Sequence, residues 1–243
     1  MKEVCKNGNF YQWNRLLLKY RTQRLKKGAN KIQLNILKEF LTTDSVFFDI
    51  GANKGLFTYW AAKYIRDNAD LHVFEPQPEL AWIYNKIQKK FQQHQIIYNN
   101  VGLSDVVGKA HIKRVCIGDG SATLEKSSEE AEKNQSISLE TLDIYCKKKA
   151  VKKIDFIKID VEGHEHKTIA GAIKNIEKFK PIMLIEMNPS FLSNKTLNLF
   201  QNLEYKVKMI RAGNTFDSSS KEFKNFNTEK QFLNSHADFL FYR

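Results

Sequence analysis

The chain has 243 residues with 39 basic and 27 acidic side chains, a formal charge of +12. That length supports a sizeable core, and the positive balance suits an acidic partner such as nucleic acid, an anionic lipid surface or an acidic glycan, unless it is only compositional bias. Three separated cysteines (Cys5, Cys116, Cys146) without a C-x-x-C pair argue against a disulfide framework and structural zinc.

The N-terminus lacks the apolar core of a signal peptide, and no apolar run reaches the ~20 residues that cross a bilayer. A reducing, cytoplasmic location is therefore expected, with peripheral membrane contact left open. From Val4 to Lys38 there are nine basic residues and no acid. Phe10, Trp13, Leu17 and Tyr20 are near helical spacing, as are Leu34, Leu37 and Leu41 beyond the break at Gly28. Residues 1–44 thus read as a basic helical extension, either a solvated face packed on the core or an arm for an anionic substrate.

Ser45 to Ile50 reads as the first strand, ending beside the turn Gly51-Ala52-Asn53-Lys54-Gly55. Leu56, Phe57, Trp60, Ala61, Tyr64 and Ile65 then form a helical stripe. Leu71–Glu75 is a second strand, Pro78 opens a second helix, and 95–101 is a third strand. Strand, helix, strand, helix, strand predicts parallel strands with right-handed crossovers. The regularity breaks after Gly108: 110–117 reads as an added strand, 118–121 as a turn, 125–134 as a polar loop, 136–139 as extended and 141–147 as a short helix. Ile154–Ile159 resumes the pattern and leads into Asp160-Val161-Glu162-Gly163-His164-Glu165, followed by one helix carrying Ile169, Ala172, Ile173 and Ile176. Pro181–Met187 is a fifth core strand, then a helix with Leu192, Leu199 and Leu203, and a sixth strand with Tyr205, Val207 and Met209. Residues 211–228 read as a polar loop and 238–242 as a last strand. No linker splits the chain, so one domain is expected over 1–243, with a core at 45–187 and sheet completion with the substrate side at 188–243.

The turn at Gly51 is not G-x-G-x-x-G, because Asn53 occupies the position of the middle glycine that admits a pyrophosphate. Asp49 beside the turn suits a ligand with a cationic amine and sulfonium rather than a diphosphate. Glu75 lies 24 residues beyond Gly51, near the ~20-residue offset of an acid on a ribose hydroxyl pair. Together these favour S-adenosylmethionine over a dinucleotide.

The blocks DIGANKGLFT (49–58), FEP (74–76), GLSD (102–105), GSATL (120–124), SLETLD (138–143) and IKIDVEGHE (157–165) resemble the FkbM family of S-adenosylmethionine-dependent methyltransferases. The resemblance implies an α/β, class I methyltransferase-like (Rossmann-like) fold: a seven-stranded, mostly parallel sheet with helices on both faces and an antiparallel edge strand. It implies O-methylation, on sugars or polyketide-type products. Around the cofactor it implies Asp49, Gly51, Asn53 and Gly55 at the methionine half, Glu75 at the ribose, and Asn100 and Val101 along the adenine; Ala52, Phe57, Thr58, Pro76 and Asp160 are further expected cofactor contacts.

Asp160, Glu162 and His164 follow the fourth core strand and Glu186 ends the fifth, where ligands of doubly wound sheets bind. A hydroxyl acceptor needs a base, and His164 or Asp160 has suitable chemistry; the plainer alternative is that the acids cap the next helix. No metal site is expected, although Asp160, Glu162, His164 and Glu186 together would be suitable ligands for a divalent cation. Asn188-Pro189-Ser190-Phe191 resembles the N-P-P-Y/F element of amino-methyltransferases, but it follows the fifth strand and not the fourth, and Ser190 replaces a proline. It reads as a strand-to-helix turn. The expectation is an O-methyltransferase acting on a sugar hydroxyl of a glycan or glycolipid precursor, in polysaccharide biosynthesis, with nucleic acid or a polyketide-like metabolite as alternative acceptors.

Overall fold

The computed structural model describes residues 30–114, 123–125, 134–188, 194–228 and 236–243. The expectations for the first basic helix, the 118–121 turn, most of the 125–134 loop and Pro189-Ser190-Phe191 lie outside the described residues.

The chain alternates strands and helices: α1 (Lys31–Phe40), β1 (Phe47–Ile50), α2 (Leu56–Tyr64), β2 (Asp70–Phe74), α3 (Ala81–Lys90, entered through a 3-10 turn at Pro78–Leu80) and β3 (Gln95–Asn99). An inserted unit follows: β4 (Gly102–Leu103), β5 (Gly108–Lys113), β6 (Thr123–Glu125) and β7 (Asn134–Glu140). Then come α4 (Leu142–Lys148), β8 (Phe156–Ile159), α5 (Glu165–Ala170), α6 (Ile173–Phe179), β9 (Ile182–Met187), α7 (Asn194–Asn202), β10 (Lys206–Arg211), β11 (Asn214–Asp217), α8 (Lys221–Thr228) and β12 (Ala237–Tyr242).

The main sheet has the order β11-β10-β12-β9-β8-β1-β2-β3. It holds eight strands rather than the expected seven. Strand β12 runs antiparallel to both β9 and β10, so it is interior, and the edge is β11, antiparallel to β10. The extra strand comes from 211–228, expected as a polar loop. Ala212 and Gly213 have φ of 48° and 76°, the left-handed pair that closes a two-residue hairpin. Phe223 and Phe226, one helical turn apart in α8, are buried. Polar neighbours hid both signals.

Strand parity builds the two faces. Phe48 and Ile50 of β1 join a core with Tyr145, Ile169, Ile176, Phe200 and Phe226 from α4 to α8. Phe47 joins the opposite core with Leu37, Ala61, Ile83 and Tyr84 from α1 to α3. The single helix expected after β8 is two, broken at Gly171. The Gly171 carbonyl accepts from Asp143 N at 2.9 Å, and a Cβ there would lie 1.9 Å from Ser104 O. Asp143 also takes the first amides of α6, Lys174 N at 3.2 Å and Asn175 N at 3.0 Å, in the manner of a helix N-cap.

The inserted strands form a second sheet of order β4-β7-β5-β6. Ile112, Ile137 and Leu139 form a small buried cluster on it. The Arg114 guanidinium pins its end to the segment after β2, donating to Glu79 at 2.7 and 3.1 Å and to Gln77 Oε1 at 3.2 Å.

Candidate active site

At the carboxyl end of β1 the backbone turns through left-handed φ at Gly51 (76°), Asn53 (42°) and Gly55 (66°). Gly51 is required: a Cβ there would sit 1.8 Å from Asp160 O, so the turn after β1 touches the end of β8. Gly51 N and Ala52 N both donate to Phe74 O, at 3.0 and 3.1 Å, tying the same turn to β2. Gly55 packs on α3, where a Cβ would meet Ile87 Cδ1 at 2.8 Å.

Glu75 follows β2 and is buried. Its Oε2 accepts from Asn53 N at 2.8 Å and its Oε1 from Gln77 N at 2.9 Å. Burial pushes its carboxyl up to about 7, against the two amides that favour the charged form. The Gln77 side chain adds a further hydrogen bond to the same carboxylate.

At the end of β8, Asp160 is held by its amide on Ile50 O at 2.9 Å, and its side chain is 31% exposed. Glu162, a non-glycine residue, has φ of 49° and Gly163 has 91°. Such backbone gathers at functional turns. His164 Nε2 lies 2.9 Å from Ser104 Oγ, which in turn donates to Asp105 Oδ1 at 3.0 Å. With the serine proton so placed, Nε2–H donates to Ser104 and Nδ1 is the bare nitrogen. Burial, with Lys167 and His166 adding, lowers the imidazole to about 4. His164 is thus neutral near pH 7 and a weak base.

One cavity of about 240 Å³ joins these turns. Gly51, Asn53, Glu75, Pro76, Val101, Asp160, Glu162 and His164 of the expected residues line it. Phe74, Leu103, Ile112, Ile137 and Val161 add an apolar wall, and Gln77 adds a polar group. Ile112 and Ile137 come from the second sheet and had no recognisable signal in the sequence beyond strand alternation.

The remaining expected residues stand behind this lining. Asp49 is buried on the face of α1 to α3, and its Oδ2 accepts from Thr58 N at 2.8 Å and Thr58 Oγ1 at 2.5 Å. Burial pushes its carboxyl up to about 6. Ala52 is buried, and Asn100 is exposed with its Nδ2 donating to Glu75 O at 3.0 Å. Glu186 is partly buried, and burial with the nearby Asp160 charge pushes it up to about 8. Phe57 presents its ring to Lys158 Nζ at 5.1 Å. Among the described residues, no group of three His, Cys, Asp or Glu is arranged to hold a metal ion.

The family model for the methyltransferase FkbM domain matches residues 49–211, more than half of the chain. The chain belongs to the FkbM methyltransferase family. It is accordingly an S-adenosylmethionine-dependent methyltransferase by family, with a class I fold.

Among solved structures, a methyltransferase FkbM from Methylobacillus flagellatus matches at TM-score 0.51 and 14% identity over 83% of this chain. The present chain spans 44% of that protein's length. An rRNA methylase from Streptococcus thermophilus matches at TM-score 0.47 and 11% identity, covering 88% of this chain and 95% of its own. Fibrillarin from Aeropyrum pernix, with natively bound S-adenosyl-L-methionine, matches at 0.45 and 12%, covering 87% and 74%. No curated protein matches the chain by sequence. No helix among the described residues is long and apolar enough to cross a membrane.

Ser104, which holds His164, and Lys158 and Asp238, which lie beneath Asp160, are site residues absent from the sequence expectation. A cation in the otherwise apolar run of β8 was the available signal, because lysine is almost never fully buried unless paired.

Proposed function

We propose that this FkbM-family chain transfers a methyl group from S-adenosylmethionine to a hydroxyl oxygen, on a sugar of a glycan or glycolipid precursor, as one domain working in the cytoplasm in polysaccharide biosynthesis. The observation that carries the reading is the single cavity with Glu75 at one end and Asp160, Glu162 and His164 at the other.

The donor set suits the cofactor. Glu75 brings a carboxylate to the cavity for ribose hydroxyls, and Phe74, Val101, Leu103, Ile112 and Ile137 offer an apolar wall for a base. Asp160 and Glu162 bring acids to the end where a cationic amine and sulfonium belong. Asp49 supports the same turn from behind, by accepting from the amide and the hydroxyl of Thr58 in the first turn of α2. The cofactor supplies an electrophilic methyl; the protein orients the acceptor and removes its proton. Asp160 is the residue assigned to accept or orient the hydroxyl proton, since His164 is tied to Ser104 and depressed in basicity. General-base assistance of this kind contributes roughly 10²–10⁴-fold, and alignment supplies much of the rest. The substrate class rests on the family resemblance, and the charge of +12 suits an anionic acceptor or carrier.

The test is transfer of labelled methyl from S-adenosylmethionine to host glycans, glycolipids and nucleic acids in parallel. Label in the carbohydrate fraction, lost in Asp160→Asn while S-adenosylhomocysteine still binds, is the expected result. Label confined to nucleic acid overturns the acceptor assignment.

A further inference from the structure

Strand β8 reads Phe156-Ile157-Lys158-Ile159, and Lys158 is 1% exposed. Its cross-strand neighbours are Asp49 on β1 and Leu184 on β9. Leucine or methionine would pack in such a place without the cost of removing a charge from water, which is several kcal/mol per ion even after relaxation. A lysine in this position therefore calls for a partner, and it has two carboxylates besides the Ile159 carbonyl at 3.4 Å. Nζ lies 3.0 Å from Asp238 Oδ1 and 3.9 Å from Asp160 Oδ2. The ring of Phe57, at the start of α2, covers it at 5.1 Å.

Asp238 is itself fixed. Its second oxygen accepts from Gln33 Nε2 of α1 at 2.7 Å. A chain of contacts thus runs from Gln33 through Asp238 and Lys158 to Asp160, with three different segments of the chain converging under one cavity residue. The two ion pairs differ in kind. Asp238 is in full hydrogen-bond contact and 14% exposed, whereas Asp160 stands off at the longer distance and is 31% exposed toward the cavity. That is the arrangement of an anchor and a guided group: Asp238 neutralises the lysine, and the lysine's remaining field falls on Asp160 without occupying its oxygens.

Resting on the reading of Asp160 as the reaction-side carboxylate, we infer that Lys158 is a positioning residue, seated on Asp238, that holds the Asp160 carboxylate charged and turned to the cavity. The charged and titratable groups around Asp160 are Lys158 on its own strand, Asp49 on β1, Glu186 on β9, Asp238 on β12, Glu162 in the following turn and Glu165 at the start of α5. Lys158 is the one cation among them. Glu186, raised to about 8 by burial and by the Asp160 charge, is the acid that stays protonated instead.

The test follows the Asp160 carboxyl by ¹³C NMR across pH in the full chain, assigned with Asp160→Asn. In Lys158→Met the Asp160 midpoint rises, by about 1–3 pH units, the range for loss of a close opposite charge. In Asp238→Asn it falls, because the lysine is released from its competing anion. In Lys158→Arg it stays close to wild type. A residue that only filled the core would change the melting temperature and leave these midpoints alone. If Lys158→Met does not fold, the downward shift in Asp238→Asn decides. Midpoints unmoved in the folded variants overturn the inference. Binding of S-adenosylhomocysteine to the wild-type chain is measured beside them by calorimetry; its absence overturns the cofactor reading on which the inference rests, whereas binding with an unmoved Asp160 overturns the inference alone.

Discussion

The Glu75 carboxylate accepts the backbone N–H of Asn53 at 2.8 Å, so the acid that ends β2 also holds the turn that follows β1. The second oxygen holds Gln77 N. One side chain thus has a structural and a binding face, and its replacement tests both. Glu75→Ala removes the acceptor of the buried Gln77 amide, at about 1–3 kcal/mol, and that of the partly buried Asn53 amide. It should lower the melting temperature and weaken S-adenosylhomocysteine binding by more than tenfold; Glu75→Gln, which keeps one acceptor oxygen, should fall between. Calorimetry and thermal melts that match wild type in Glu75→Ala would remove Glu75 from the site.

Gly51 and Gly213 share a φ of 76°, but only Gly51 has a neighbour in the way. Gly213→Ala should cost roughly 1–2 kcal/mol, the penalty of left-handed backbone alone. Gly51→Ala carries the same penalty plus a clash with Asp160 O, and should cost clearly more. Chemical denaturation of the two variants gives the comparison, and equal costs would contradict the close approach of β1 and β8.

Stability should fall between pH 6.5 and about 8. Glu75 and Glu186 are raised to about 7 and about 8 in the fold from an ordinary 4.5. A raised carboxyl keeps its proton in the folded chain after the unfolded chain has lost it, so its stabilisation drains away as pH climbs to the folded value. His72 and His164, lowered to about 4 from 6.5, act the other way, but only below pH 6.5. The loss above that point therefore belongs to the two acids, at up to about 1.4 kcal/mol per pH unit for each. Glu186→Gln should flatten the upper part of the curve, as read from melting temperature against pH. An unchanged slope would refute the assignment.

Arg114→Leu should loosen the second sheet with little global effect. The ion pair with Glu79 is partly exposed, at 15% and 27%, and such pairs are worth at most about 1 kcal/mol. Loss of the bond to Gln77, which lines the cavity, should accelerate amide exchange in β5 and β7 and weaken S-adenosylhomocysteine binding a few-fold. Exchange identical to wild type would show that Arg114 does not hold the sheet.

Much of the core was legible because its signals are local. Alternation and helical stripes marked β1 to β3 and α2 to α3, and the Gly51 turn announced its own left-handed backbone. The 211–228 segment failed because its hairpin rests on Ala212-Gly213 in a polar stretch, and α8 on two phenylalanines alone. Asp49 was legible as an acid at a strand end but not in direction. Parity with Phe47 sends it to the α2 face, where Thr58 takes it.

By itself the sequence determined the glycine turn after β1, the alternation of strands and helices and the family, since each depends on residues close together along the chain. Tertiary structure alone decided which acids face the cavity and which support it. It brought Gln33 and Asp238 together across 205 positions, slid β12 between β9 and β10, and laid Ile112 and Ile137 over the site. Those outcomes depend on strand parity and register between distant segments, which no local pattern of residues specifies.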